Sequence, residues 1–229
     1  MTGSPIASLA AELASSSLLA GLAGSARATI LTAASQRRVL ANTVLANQGE
    51  PADSLFLIIE GCARHFYLTP EGRKVVFFWL TPGQITGGAA LLPEPADYLV
   101  GTETVRESLV LVWQRSTIRA LAARFPRLLD NTLSIASDYL AWYLAAHLSL
   151  VCDNARQRLA HVLVSLASGI GKKRTDGIHL EITNEQLAST ANITIFTVSR
   201  LLSEWQRRGA LAKSRGQVIL RSPGRLFPA

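Results

Sequence analysis

One stretch constrains the fold more than any other: RLLDNTLSIASDYLAWYLAAHLSLVCDN, residues 127–154, which carries no glycine or proline. Entered just after Pro126, a run of this length without a breaker reads as a single long helix. Along it Leu129, Leu133, Ala136, Leu140, Tyr143, His147 and Leu150 step alternately by four and three, a heptad seam. A helix so apolar and so poor in charge needs cover on more than one side, from its own chain and from a second copy. A homodimer through residues 127–152 is therefore expected. The most apolar part, 139–152, spans only 14 residues between Asp138 and Asp153. That is short of the ~20 needed to cross a bilayer, so no membrane partner is expected.

The sequence changes character on either side of this helix. Residues 38–113 are short apolar runs (RRVLANTVLA, SLFLIIEG, ARHFYL, RKVVFFWL, YLVGTETV, SLVLVW) separated by NQGEPADS, TPEG, TPGQ and PEPAD. Short strands at this spacing with such breakers predict an antiparallel barrel or roll. TIRALAARF then reads as one helix before Pro126. At the N-terminus, IASLAAELASSSLLAGLAG is interrupted by Glu12 and follows no basic region, so it reads as an amphipathic surface helix and not a signal peptide. Two cysteines, Cys62 and Cys152, are too few for a disulfide scaffold and suit a reducing, cytoplasmic setting.

Charge is concentrated beyond the helix. From Asn154 onward twelve Lys/Arg stand against four Asp/Glu, a net +8, whereas the residues before it hold eleven and twelve. A basic module on a near-neutral body is the footprint of a protein that neutralises phosphates. Within that module lies TNEQLASTANITIFTVSRLLSEW, residues 183–205. Thr183 and Gln186 make a capping box for a first helix, and Asn192 takes a left-handed turn at low cost. Thr194 caps a second helix whose Val198, Leu201, Leu202 and Trp205 face inward. Its outward stripe is Phe196, Ser199, Arg200, Ser203 and Arg207. RRGALAKSRGQVIL follows as a small hairpin with Ser214, Arg215 and Gly216 at its tip. The pattern is a winged helix-turn-helix, and double-stranded DNA is the expected partner.

Several motifs in order (GEPADSLFLIIEG, TPEGRKVVFFWLTPGQITG, the long helix and ITNEQLASTANITIFTVSRLL) resemble those of the CRP/FNR family of bacterial transcription regulators. The resemblance covers nearly the whole chain. It implies an α+β architecture: an N-terminal antiparallel β-roll of the cyclic-nucleotide-binding kind, a long dimerisation helix and a C-terminal winged helix-turn-helix. The boundaries expected are 1–126 for the sensor roll with flanking helices, 127–153 for the dimerisation helix and 154–229 for the DNA-binding domain. It further implies a two-fold operator, with RNA polymerase open as a partner.

Carried onto this chain, the resemblance places Arg200 where the family has an arginine that reads guanine, and a bidentate contact to O6 and N7 supplies the reason. Ser199 matches a serine common in the FNR branch, while Thr194 and Thr197 match phosphate-contacting positions. Thr183, Ser203, Arg207, Lys213 and Arg215 complete the expected DNA-binding set. Ile195 and Phe196 depart from the family, which keeps polar base-reading side chains there. Phe196 is suited to a thymine methyl, while Ile195 turns toward the core beside Val198.

The sensor departs further. In PGQITGGAALLPEPADYLVG, Gly88 stands at the family's ribose-binding Glu, Tyr98 at its phosphate-binding Arg and Leu99 at the neighbouring Ser. On the long helix, Tyr143 and Leu144 replace hydroxyl-bearing residues that meet adenine. A cyclic nucleotide is not expected, because its buried anion would lack a cation. The expected effector pocket is Phe78, Gly87, Gly88, Tyr98, Leu99, Trp142, Tyr143, Leu144 and His147, suited to a small apolar or aromatic molecule. An unliganded, filled roll stays open beside it. No cofactor is assigned. Haem stays open, with His147 or His65 as ligand, as does a Cys62/Cys152 redox switch, although apolar surroundings dull both thiols. Two cysteines cannot ligate an iron–sulfur cluster. His65, His147, His161 and His179 are too scattered for a cupin-like metal barrel, so an enzyme is not expected.

Overall fold

The structure, a computed structural model, describes residues 16–227. These form two compact units: the chain up to Lys74 together with Phe78–Trp142, and Val75–Phe77 together with Tyr143 onward.

In the first unit a 3-10 turn at Ser17–Leu19 leads into helix α1, Gly24–Thr32. Residues 6–15 of the expected N-terminal surface helix lie outside the described residues. The described remainder differs from that expectation, since Leu18 and Leu19 are fully buried. Asn131 explains their position: its side-chain amide donates to the carbonyls of Leu18 (2.8 Å) and Ala20 (2.9 Å), pinning the turn against the long helix.

Two four-stranded antiparallel sheets make the roll. One is ordered β1 (Ser35–Val39), β8 (Ser108–Gln114), β3 (Ser54–Glu60), β6 (Ile85–Thr86). The other runs β2 (Val44–Ala46), β7 (Gly101–Thr104), β4 (Ala63–Leu68), β5 (Lys74–Leu80). The apolar run RRVLANTVLA is split between β1 and β2 at Asn42, whose left-handed φ of 59° turns the chain from one sheet to the other. On one face of the first sheet Leu55, Leu57, Ile85, Leu111 and Trp113 pack in one cluster with Ile30 of α1 and with Ile118, Leu128 and Ile135, and the Trp113 indole donates to the Ile30 carbonyl at 2.8 Å. Helix α2 (Arg115–Arg124) closes the unit through Ile118 and Leu121.

Helix α3, Arg127–Cys152, is 26 residues long. It buries Leu128, Asn131 and Ile135 on one side and leaves Leu129, Leu133, Leu140, Leu144, Leu148, Leu150 and Val151 exposed. The open seam thus passes through Leu144; Tyr143, assigned to it by the heptad count, is half-buried. By length and composition α3 also qualifies as a membrane span, unlike the 14-residue run considered alone. Asp138, however, lies at its midpoint, where a bilayer would charge ~2.5–3.5 kcal/mol for a carboxylate.

Beyond α3 the second unit continues with α4, Ala155–Ile170, started by a capping box between Asn154 and Gln157. GIGKKRTDG, whose glycines, lysines and Asp176 favour a turn, contains strand β9 (Lys172–Arg174), paired antiparallel with β10 (Gly177–Glu181). Then come α5 (Asn184–Ala191), α6 (Ile195–Arg207) and the hairpin β11 (Leu211–Ser214) and β12 (Gln217–Leu220). β12 pairs with β10, which makes a sheet ordered β11, β12, β10, β9. Leu159, Leu163, Leu180, Leu187, Leu202, Trp205 and Leu226 form the core of this unit.

Candidate nucleic-acid interface and sensor interior

The reading head is built by short-range interactions. Thr183 accepts from the Gln186 amide (3.2 Å) while Gln186 Oε1 accepts from the Thr183 amide (2.9 Å), so α5 starts where the capping box puts it. Asn192, at φ 50°, ends α5 in the left-handed region. Thr194 accepts from the Thr197 amide at 3.1 Å and starts α6. Val198, Leu201, Leu202 and Trp205 are all buried. The opposite face presents Arg200 and Arg207 to solvent with Ser199 half-buried. Ile195 is 46% exposed and does not turn into the core beside Val198, and Phe196 is 88% exposed.

Further contacts stiffen this face. The Ser203 hydroxyl donates to the Ser199 carbonyl (2.8 Å) and accepts from Lys213 Nζ (2.8 Å), which ties the wing to α6. Arg215 lies at the hairpin tip beside Gly216, where φ of 72° suits a residue without Cβ. Glu204, the acidic residue of α6, pairs with Arg156 of α4 and with Arg208 at 2.9 Å. The hydrogen bond from Arg156, with the surrounding arginine charges, holds its carboxyl below the usual range despite some desolvation. The anion on α6 is thereby neutralised within the chain.

In the roll, strand register places His65 opposite Thr102. Thr86 Oγ1 lies 3.1 Å from His65 Nε2 and 2.9 Å from Thr102 Oγ1, a buried polar trio. Around it stand aromatic rings: Phe78 is 4.8 Å from Tyr139 and 4.7 Å from Trp142, centroid to centroid. Tyr139 donates to the Ile85 carbonyl at 2.8 Å. Burial pushes the His65 pKa down to about 4, so the ring is neutral near pH 7. Of the expected pocket residues, Phe78 and Trp142 meet here. Gly87, Gly88 and Tyr98 lie along PGQITGGAALLPEPADYLVG, residues 82–101, the cassette where the family binds its nucleotide, and Leu99 is 84% exposed. Leu144 and His147 are exposed on α3.

The cassette is held by the chain's own groups. The Tyr98 hydroxyl both donates to the Ser54 carbonyl and accepts from the Ser54 amide, at 2.9 Å each. Gly87, at φ 80°, fits beneath it, because a Cβ there would stand 2.3 Å from the Ser54 carbonyl oxygen. The 3-10 helix Gly88–Leu91 is gripped from α2: Arg115 donates to the carbonyls of Ala90 (2.9 Å), Leu92 (2.8 Å) and Pro93 (3.0 Å), and Arg119 donates to that of Leu92. Sequence reasoning missed Tyr139, Thr86, Thr102 and Arg115. The three-residue spacing of Tyr139 from Trp142 was the available signal for Tyr139; Thr86, Thr102 and Arg115 have none close by in the chain.

His65 does not fit an axial haem ligand, since its Nε2 is engaged by Thr86 and its ring is packed beside Phe78 and Tyr139. Among the described residues no cluster of three or more His, Cys, Asp or Glu could hold a metal ion. Burial raises the Cys62 thiol to about 12 against the opposing pull of Arg106 and Arg64. Cys152 is exposed, not enclosed in apolar surroundings.

Fold and interface together define a DNA-binding regulator with a sensor roll of the cyclic-nucleotide-binding kind. Residues 36–125 match the cyclic nucleotide-binding domain family and residues 157–227 the Crp-like helix-turn-helix domain family. The chain is 24% identical over 196 residues to the anaerobic regulatory protein of Bacillus subtilis, covering 81% of this chain and 79% of the relative. It is 23% identical over 187 residues to the CRP-like cAMP-activated global transcriptional regulator of Mycobacterium tuberculosis, covering 81% and 83%. FixK2 of Bradyrhizobium japonicum shares the fold at a TM-score of 0.73 and 21% identity, over 84% of this chain and 95% of that one. The protein belongs to the CRP/FNR family of transcription regulators. Its relatives are regulators and not enzymes, and regulators of this family bind DNA and act as dimers.

Proposed function

We propose that this protein is a cytoplasmic, homodimeric regulator whose α6 enters the major groove of a two-fold operator. Arg200 reads one guanine in each half-site, Thr183, Thr194 and Thr197 set register, and Lys213 and Arg215 hold the backbone. The working partition is a sensor over 1–126, a dimerisation helix over 127–153 and a reader over 154–229. Where the regulator activates transcription, RNA polymerase is its further partner. Arg200→Ala is expected to cost ~1–3 kcal/mol and to relax preference at one guanine per half-site. Arg215→Ala instead weakens all sequences alike and flattens the salt dependence. Equal losses for Arg200→Ala on selected and random duplexes would reduce Arg200 to a phosphate contact.

The effector in this reading is a small apolar or aromatic molecule and not a cyclic nucleotide. The observation that carries it is Tyr98, fixed to the Ser54 backbone where the family keeps its phosphate-binding arginine. His65 is neutral, and Arg115 and Arg119 are committed to backbone carbonyls. A phosphodiester buried here would lack the cation that offsets its desolvation. Calorimetry with cyclic AMP and cyclic GMP is expected to show no binding up to millimolar concentration, and the fluorescence of Trp142 to ignore both. A micromolar affinity would overturn this reading.

The grip of Arg115, Arg119 and Tyr98 on the cassette favours a second reading, in which DNA binding needs no effector. Purified protein that binds its operator fully without additives, and gains nothing from cell metabolites, supports the second reading over the first.

A further inference from the structure

Phe196 is 88% exposed on the face of α6 opposite the buried Val198, Leu201, Leu202 and Trp205. With Ile195, 46% exposed beside it, Phe196 puts two adjacent apolar side chains on an otherwise polar face, and covering Phe196 removes that surface from water. The polar groups around it are largely engaged. Thr194 and Thr197 bond each other through their hydroxyls at 2.9 Å, and Ser203 is held by the Ser199 carbonyl and Lys213. Arg200 lies one turn further along the same face. In the major groove the apolar group on a base edge is the C5 methyl of thymine. Four residues of helix advance ~6 Å, which is about two base steps.

We propose that Phe196 reads a pyrimidine C5 methyl within about two base pairs of the guanine contacted by Arg200, so that operator binding depends on that methyl and responds equally to thymine and 5-methylcytosine. The inference rests on the DNA-binding reading above and adds a determinant that forms no hydrogen bond.

The test uses full-length protein and a duplex selected from a random pool for tight binding. Each thymine is replaced in turn by uracil, which removes only the methyl. One position per half-site, next to the guanine sensed by Arg200→Ala, should weaken binding about fourfold, and both together about fifteenfold. At that position 5-methylcytosine–guanine should be bound better than cytosine–guanine by the same factor. Phe196→Ala should bind the thymine and uracil duplexes equally, which isolates the contact as a double-mutant cycle. A flat uracil scan on a tightly bound duplex overturns the methyl contact, leaves DNA binding standing and assigns Phe196 to a protein partner. Discrimination that persists in Phe196→Ala also overturns it. Failure to select any duplex overturns the DNA-binding reading itself.

Discussion

Leu140→Asp is expected to run as a folded monomer and to lose operator binding. Leu140 is 69% exposed on α3, in line with Leu133 and Leu144, so the single chain gains little from its side chain. Burying a leucine fully is worth ~1.5–3 kcal/mol, and a two-fold seam buries one from each copy. The aspartates would also face each other, unpaired and partly desolvated. A combined loss on the order of 5 kcal/mol raises the dimer dissociation constant by on the order of a thousandfold or more. A monomer engages only one half-site, so affinity for the two-fold operator falls with it. Sedimentation velocity measures the first effect and gel shift the second, while unchanged circular dichroism shows that the monomer is folded. A wild-type protein that sediments as a monomer at micromolar concentration would remove the dimer from this account. Association only in detergent would instead favour α3 as a membrane span.

The parts of this protein that sequence anticipates are those whose causes lie a few residues apart. The capping box of Thr183 and Gln186, the left-handed Asn192 and the inward quartet of α6 all follow from spacings of three or four. The β9–β10 hairpin was harder. Its strands are short, and Leu180 is the one residue of β10 that is fully buried, so the apolar alternation that marks a strand is faint. Long-range contacts were out of reach. Nothing near Tyr98 in the chain announces a hydroxyl bonded to Ser54, 44 residues away. Nor does the sequence of α2 reveal that Arg115 reaches the carbonyls of the cassette. The seam of α3 shows the same limit. Heptad counting finds a stripe, but whether Tyr143 or Leu144 stays open depends on which flank the folded chain covers. At Ile195 the apolar identity suggested burial, yet its place in the first turn of α6 leaves it at the surface.

The second large effect is expected from Glu103. Its carboxylate is 5% exposed and sits between Arg64 Nη2 (2.8 Å) and Lys74 Nζ (2.6 Å). Burial alone would raise its pKa, but hydrogen bonds from Lys74 and Arg64 and their positive charges outweigh it, so the group titrates below the ordinary value of 4.5. Its stabilising contribution is therefore complete above that ordinary value and disappears as pH falls through the lower folded value. The partners differ in what they lose when Glu103 is removed. Lys74 has a side chain 40% exposed and can turn to water, whereas that of Arg64 is 15% exposed and would keep an uncompensated charge. Breaking one side of a buried pair typically costs ~3–5 kcal/mol, and the freedom of Lys74 puts Glu103→Ala near the lower end. For a protein of this size that corresponds to a melting temperature ~6–12 °C lower. Pairing Glu103→Leu with Arg64→Met removes both buried charges together and should recover most of the loss. Calorimetric melting of the three proteins at pH 7 separates these outcomes. If the single variant melts within ~2 °C of wild type, the ion pairs hold nothing that water would not hold as well.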